Sequence, residues 1–444
     1  MKTLLTLAIL LLISLLTVLS SCSKPDEPST EYAGLNPFSN GGSERNMIVV
    51  ISDIHLGPDL SYSELNANLG AFERWLRRVK TAPDIKELVI AGDMLDEWFI
   101  PATMDTYQGK DQADFVKRIA ATNKAVFDAI NSIIQEGKIR VTYIPGNHDM
   151  TITAANVESI LPGINQAREA ELGLGRYTPA GCPTIVIEHG HRYNFFSAPD
   201  PLSNQDIAPG SILPPGYFFS RIVAQHIYQN HPLAGDTMKI VTQNTVSGND
   251  SQYLLYIYWK VWQWGINYVP LASRHDAKII ITNINGYSGT YSINDILPFQ
   301  TTPGGFIDVK LYKGMQDKWI QRQILNHVAV AIPAAQSIGN SAKSIESYNQ
   351  AKMQYFLNPD SDKRIVIFGH SHDAAILSCN NHDGLKSIYA NTGTWIDQND
   401  VGPTVMNFIV VTPQNSDISS LTYVKLYNFE NEVVTEMAAD SLRY

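Results

Sequence analysis

Cysteine is scarce in this chain: Cys22, Cys182 and Cys379 are the only three among 444 residues. None has the paired spacing of a cysteine-built zinc site. A disulfide between Cys182 and Cys379 would need an oxidising compartment; two separate buried thiols satisfy the sequence equally. Positive charge is also short, with 33 Lys and Arg against 43 Asp and Glu and a formal net charge of -10. A polyanion would meet repulsion over much of such a surface, and no basic stripe offsets it, so nucleic acid is not expected as a partner. No internal repeat is present, and biased composition is confined to a short stretch near the N-terminus. The rest, with 44% hydrophobic and 17% charged residues, has the composition of a folded globular protein. The length suits two or three domains, or one large domain with insertions.

The N-terminus stands apart. Lys2 opens a short basic region, residues 4–19 are almost wholly apolar and rich in Leu, and small residues follow as far as Cys22. This is the layout of a secretory signal, and the apolar run is a little short for a spanning helix. Leu19-Ser20-Ser21-Cys22 resembles a bacterial lipobox, a signal whose Cys receives lipid and becomes the mature N-terminus. The expectation is a lipoprotein signal over 1–22, lipidation at Cys22, and a flexible tether over 23–45 rich in Ser, Pro, Gly and acidic residues. Such a chain would sit in the bacterial cell envelope. Its N-terminal lipid would anchor it to a membrane, on the periplasmic side or the outer surface.

From about Asn46 the pattern is that of a fold. Residues 47–52 form a short apolar run that stops at Asp53-Ile54-His55. Residues 65–79 follow with helical spacing, then a second apolar run over 87–91 ends at Gly92-Asp93. Residues 115–134 are again amphipathic. Apolar runs over 139–144 and 184–188 end at Gly146-Asn147-His148-Asp149 and His189-Gly190-His191, and one over 364–368 ends at Gly369-His370-Ser371-His372. Each run reads as a buried strand leading into a cluster of Asp, His or Asn. Alternating strands and helices imply a largely parallel sheet, whose carboxyl ends gather distant residues at one edge. Strands over 387–390, 408–412 and 421–429 suggest antiparallel pairing in a second sheet. Between them, residues 199–362 break the pattern with Pro-Gly turns and an aromatic-dense stretch over 253–269. Aromatics at helical spacing favour core packing over a ligand-facing wall. The chain therefore divides into a core over 46–198, an insertion or cap over 199–362, and the rest of the core over 363–444.

The strand ends offer a metal-binding donor set. Asp53 and His55 are two apart, so on an extended segment both can face one side. Asp93 can bridge two cations, Asn147 offers a neutral carbonyl oxygen, and His189, His370 and His372 offer imidazole nitrogens. Mixed imidazole and carboxylate ligands suit Zn, Mn, Fe or Co better than Ca or Mg. Paired ions of this kind clamp the attacking and leaving oxygens of a phosphoryl displacement. They would also reverse the local sign of an acidic protein and so admit a small phosphorylated substrate.

Each motif is weak alone, but together and in order they resemble the calcineurin-like metallophosphoesterase family. The matching strings are Asp53-Ile54-His55, Gly92-Asp93-Met94-Leu95-Asp96, Gly146-Asn147-His148-Asp149, His189-Gly190 and Gly369-His370-Ser371-His372. The resemblance implies an α/β fold: a four-layer αββα sandwich of two mixed sheets, with the insertion as a cap-like segment. It implies two divalent metal ions, Mn, Zn or Fe. The first would take Asp53, His55, Asp93 and His372; the second would share Asp93 and add Asn147, His189 and His370. A hydroxide between the metals would attack phosphorus. His148 would donate to the phosphoryl group or protonate the leaving oxygen, and Asp96 would orient that imidazole. His191 competes with His189 as ligand; the Gly that follows His189 in the family block favours His189.

Within that family, residues 92–99 and 188–193 are similar to the branch of UDP-2,3-diacylglucosamine hydrolases. His148 stands where that branch commonly carries Arg, and an exported lipoprotein would not meet that cytoplasmic substrate. The expected substrate is a phosphomonoester or phosphodiester outside the cytoplasm, either a phosphorylated small molecule or a lipid head group. The alternative is a surface binding or scavenging lipoprotein that reuses a phosphoesterase fold. Its signature would be lost ligands, and none is lost.

Overall fold

A computed structural model describes residues 33–34, 36–244, 250–415 and 421–443. The signal over 1–22, Cys22 with its proposed lipid, and the first part of the tether lie outside the described residues. Among those described, no helix is long and apolar enough to cross a membrane.

Two mixed sheets face each other. The first has eight strands. At its centre Met47–Ile51 pairs in parallel with Ile85–Ala91, which pairs in parallel with Arg140–Ile144. On the other side of Met47–Ile51 an antiparallel meander of Asn407–Thr412, Thr422–Glu430 and Val433–Leu442 continues the sheet. The second sheet has five strands, with Ile365–Phe368 lying parallel between Ile185–Glu188 and Lys386–Asn391.

The period-2 alternation of a strand explains how the layers stack. Ile48 and Val50 point between the sheets, where they meet Ile185, Ile187, Ile365 and Ile367. Val49 and Ile51 point the other way, onto Phe72, Trp75, Phe127 and Ile130 of the covering helices. Both faces are buried, so the strand reads as an unbroken apolar run rather than an alternating one. On the far side of the second sheet, Val186, Val366 and Phe368 are covered by Tyr355 and Phe356. The order helix, sheet, sheet, helix is the four-layer α/β sandwich expected.

Three expectations change. The run at 185–188 does not extend the first parallel sheet; it belongs to the second. The late strands 407–412 and 422–430 extend the first sheet, not the second. The runs at 185–188 and 407–412 are buried on both faces, and all three bury at least one, so hydrophobic pattern alone cannot assign them to a sheet. The long amphipathic stretch after residue 111 is two helices, Gln112–Thr122 and Lys124–Glu136. They part at Asn123, whose amide donates to the Gly57 and Ile119 carbonyls, 2.9 Å each.

Residues 199–362 build a core of their own. Tyr217, Phe218, Tyr258, Trp262 and Trp319 pack together and onto Trp98 and Met150 from the loops beside the strand ends. Each such buried aromatic contributes on the order of 2 kcal/mol. The last part of this segment, 345–356, leaves that core to cover the second sheet. Cys182 and Cys379 are both free and half-buried, in different clusters.

Candidate metal centre

All seven expected ligands lie in loops that follow strands, on one edge of the paired sheets. They do not get there on extended backbone. Asp53, His55, Asp93, His370 and His372 have φ of 52°, 52°, 50°, 66° and 56°, in the left-handed region. The alternation argument for Asp53 and His55 therefore fails; tight left-handed turns bring them together. Each such non-glycine residue costs about 1–3 kcal/mol, and clusters of them mark functional sites. Glycine makes room for the approach. A Cβ on Gly146 would stand 2.1 Å from Asp93 Oδ1, and one on Gly92, itself at φ 96°, 2.4 Å from His189 Nδ1.

Donors and acceptors fix the imidazole tautomers. His189 Nδ1 lies 2.9 Å from the Ala91 carbonyl, so it carries the proton. Its Nε2 stands 3.0 Å from Asp93 Oδ2 and 3.1 Å from Asn147 Oδ1; burial lowers its pKa, but Asp93 and then Asp53 outweigh it and raise it to about 9. His55 repeats the arrangement. Its Nδ1 is 2.7 Å from Asp96 Oδ2, while its buried Nε2 has no hydrogen-bond partner. That Nε2 faces Asp93 Oδ2 at 3.8 Å and Asp53 Oδ1 at 4.0 Å. His372 Nε2 lies 3.2 Å from Asp53 Oδ1. Imidazole nitrogens and carboxylate oxygens converging in a buried site need a cation between them, a proton or a metal ion. Among the described residues three groups have ligand atoms within 4.8 Å of one another: Asp53, His55 and His372; Asp53, Asp93 and His189; and His55, Glu64, Asp96 and His148. His370 is placed by its backbone N–H, which donates to both Asp53 oxygens at 3.2 and 3.0 Å. Its ring lies 5.2 Å from that of His189. Burial, then His189, depresses its pKa to about 3 and leaves it a neutral donor of electrons.

His189 is inside the cluster, whereas His191 is buried with both ring nitrogens unpartnered, its ring 5.4 Å from that of His189. Burial holds its pKa well below the ordinary value.

His148 stands beside the cluster rather than in it. Its backbone N–H donates to Asp93 Oδ1 at 2.8 Å. Its Nδ1 is 2.8 Å from Asp96 Oδ1. The ring is packed between His55 and Trp98, with centroids 4.5 and 4.8 Å away, and it reaches the cleft described below. Burial lowers the His148 pKa, but Asp96 and then Asp93 outweigh it and hold it above the ordinary value. Asp96 does more than expected: one oxygen takes His148 and the other takes His55. The backbone N–H groups of Trp98 and Phe99 donate to it as well, at 2.9 and 2.7 Å. Burial raises its pKa, but His148 and His55 together hold it well below the carboxylate range.

Sequence reasoning missed Glu64, whose carboxylate lies 3.2 Å from His55 Nδ1. It belongs to no motif, and only the fold brings it there. Asp149 is structural, as expected: its carboxylate accepts from the backbone of Gly146, Met94 and Leu95, tying two ligand loops together. The segment Asn391–Trp395 closes the site from behind; the Thr394 hydroxyl and the Trp395 N–H both donate to the Asp53 carbonyl.

A cleft of about 390 Å³ opens onto Asp93, Asn147, His148, His370 and His372. Its outer walls come from the 199–362 segment.

Comparison with known proteins agrees with this geometry. Residues 47–228 match the model of the family described as calcineurin-like phosphoesterase. No curated protein matches the chain. Among solved structures, the chain is similar to a single mutant of Vps29 from Entamoeba histolytica. That likeness has 9% identity over 90% of this chain and 99% of the other, with a TM-score of 0.28, too low to bear on the fold. The chain thus carries a calcineurin-like phosphoesterase match over the part of its fold that supplies Asp53, His55, Asp93, Asn147 and His189, together with Asp96 and His148.

Proposed function

We propose that this protein is a metal-dependent phosphoester hydrolase acting on a phosphomonoester or phosphodiester outside the cytoplasm. The observation that carries the reading is His148, fixed by Asp96 at the edge of a cluster of metal-type ligands and open to a cleft. A binding protein would need the cluster; it would have no use for a held, proton-bearing imidazole beside it.

Asp53, His55, Asp93 and His372 would hold one cation, and Asp93, Asn147, His189 and His370 a second. The two carboxylates support this sharing, since each lies close to imidazoles of both sets. Divalent cations such as Mn, Zn or Fe supply Lewis acidity toward phosphoryl oxygens and lower the pKa of water when bound. The rest is done by the chain. Asp96 keeps the His148 proton on Nδ1, so Nε2 faces the cleft. Asp96 and Asp93 favour the imidazolium, the form whose Nε2 proton can be donated to the leaving oxygen. Asp149 and the Asn391–Trp395 segment hold the ligand loops in place.

Protein lacking residues 1–22 should hydrolyse bis-p-nitrophenyl phosphate or p-nitrophenyl phosphate with Mn or Zn, and chelation should abolish this. Inactivity with every metal tried, together with no metal by elemental analysis, would sink the reading. The N-terminal sequence supports an envelope lipoprotein anchored through Cys22. In cells, lipid labelling should be lost in Cys22→Ala; persistence of the label would remove the anchor from the proposal.

A further inference from the structure

The cleft has two unlike walls. One is apolar and comes from the loop after Glu97, the turn after His191–Tyr193 and the helices Pro215–Tyr228 and Asp250–Tyr268: Trp98, Phe196, Phe219, Trp262 and Trp264 line it. The other is polar, with Ser337, Ser341, Lys343, Ser344, Glu346 and Ser347. The helix Asp250–Tyr268 shows what is unusual about the first wall. It buries Tyr258, Trp259 and Trp262, yet leaves Trp264 57% exposed while lining the cleft. An indole left in water beside a cavity is apolar area without a partner.

Trp264 is also held in place. Its ring stacks on Tyr268, with centroids 5.9 Å apart and planes at 10°. The Tyr268 hydroxyl donates to Asp400 at 3.2 Å. Asp400 sits in the loop where Asn399 donates to the His372 carbonyl at 2.9 Å, and where Val401 joins the cleft wall. The exposed indole is therefore tied, through Tyr268, to the loop that backs a proposed metal ligand. Behind it, Gly265 allows close packing on Phe219, whose ring a Cβ would meet at 2.7 Å. Fixed aromatic faces next to a phosphate-sized polar site fit a ligand with one charged end and one apolar body.

We propose that the substrate is a phosphoester whose organic group is apolar, seated against Phe196, Phe219, Trp262 and Trp264, and that Trp264 sets the preference for it. The inference rests on the phosphoesterase reading of the same site. Compact polar esters, such as simple sugar phosphates, would leave this wall wet.

The test uses two pairs of mixed diesters, each releasing p-nitrophenol: ethyl against octyl, and phenyl against naphthyl. The leaving group stays constant while apolar size changes. With Mn-loaded protein, kcat/KM should rise by roughly tenfold or more from the small to the large member of a pair, mainly through KM. The ratio should fall to within about threefold of unity in Trp264→Ala; because that side chain is largely exposed, the variant should fold. A preference confined to octyl would indicate a hydrocarbon chain, and one confined to naphthyl a fused ring. Turnover with ratios near unity in both pairs would overturn the inference and leave the phosphoesterase reading standing. If no ester is turned over, quenching of tryptophan fluorescence by octyl phosphate, compared with inorganic phosphate, decides separately. Tighter binding of octyl phosphate that is lost in Trp264→Ala keeps the apolar site while the hydrolase fails; equal binding ends both.

Discussion

Asp96 serves two imidazoles at once, and this gives the residue scale its sharpest expectations. His148→Ala removes the proposed acid without touching a ligand, so turnover should fall by about 10²–10⁴-fold while metal content by elemental analysis persists. Loss of metal in that variant would show that His148 is a ligand. Asp96→Asn should do both kinds of damage. It loosens His148, and it releases His55 Nδ1, which should weaken metal retention by about 10–100-fold. Much of the site was legible in the sequence because each ligand follows an apolar run within one to four residues and several follow a glycine. Glu64 and the second contact of Asp96 were not legible. They depend on how loops from distant positions pack, which no local spacing encodes.

The loops between strand and helix set the next scale. Gly146→Ala forces a Cβ against Asp93 Oδ1, and relief requires Asp93 or its loop to move. Overpacking of this kind costs about 1–3 kcal/mol, so the variant should melt at lower temperature and retain less metal. An unchanged melting point with full metal would mean that the loop has slack. Glu97, one residue beyond Asp96, ties the same loop down. Its carboxylate accepts from the Tyr107 hydroxyl and the Gln112 amide, at 2.8 and 2.9 Å, and contacts the Thr151 hydroxyl. Burial nevertheless pushes its pKa from 4.5 to about 7. The folded state therefore binds its proton more tightly than the unfolded chain. That contribution to stability is fully present below about pH 4.5 and is lost as pH rises through about 7. It is worth on the order of 3 kcal/mol. Denaturant titrations of Glu97→Gln should show a flatter stability profile than wild type between those limits; parallel profiles would place the titration elsewhere. The strands that were anticipated lie within a residue or two of their expected positions, because a well-buried strand is a plain apolar run; Ala375–Asn380 and Val433–Leu442, largely exposed or half-buried, gave no such run and were missed. The break at Asn123 was hidden, because the apolar periodicity runs through it and the side-chain bonds of Asn123 to the Gly57 and Ile119 carbonyls leave no local pattern.

For the whole molecule, the ligands come from both sheets: Asp53, His55, Asp93 and Asn147 follow strands of the first, and His189, His370 and His372 follow strands of the second. A bound cation would therefore join the two layers, and binding to the folded state alone stabilises it. At a free concentration a hundred times Kd the gain is about 2.7 kcal/mol. Thermal melts should shift upward with Mn or Zn and back with a chelator. Metal uptake without a shift would place the metal outside the inter-sheet edge. Which strand joins which sheet could not be read from sequence, since the two interiors are equally apolar. The insertion's role was equally hidden, because its aromatics divide between core and cleft by which way a helix turns.

The left-handed backbone at Asp53, His55, Asp93, His370 and His372 bears on how such a site could disappear. At each of these positions glycine would fold with less strain, and asparagine nearly as well. A descendant kept only as a scaffold would thus gain backbone freedom wherever glycine replaced one of the strained histidines, whereas Asp53 and Asp93 would still be wanted by the backbone N–H groups of His370 and His148. The five strained side chains are a wager renewed in every folded molecule, one that only chemistry at this edge repays.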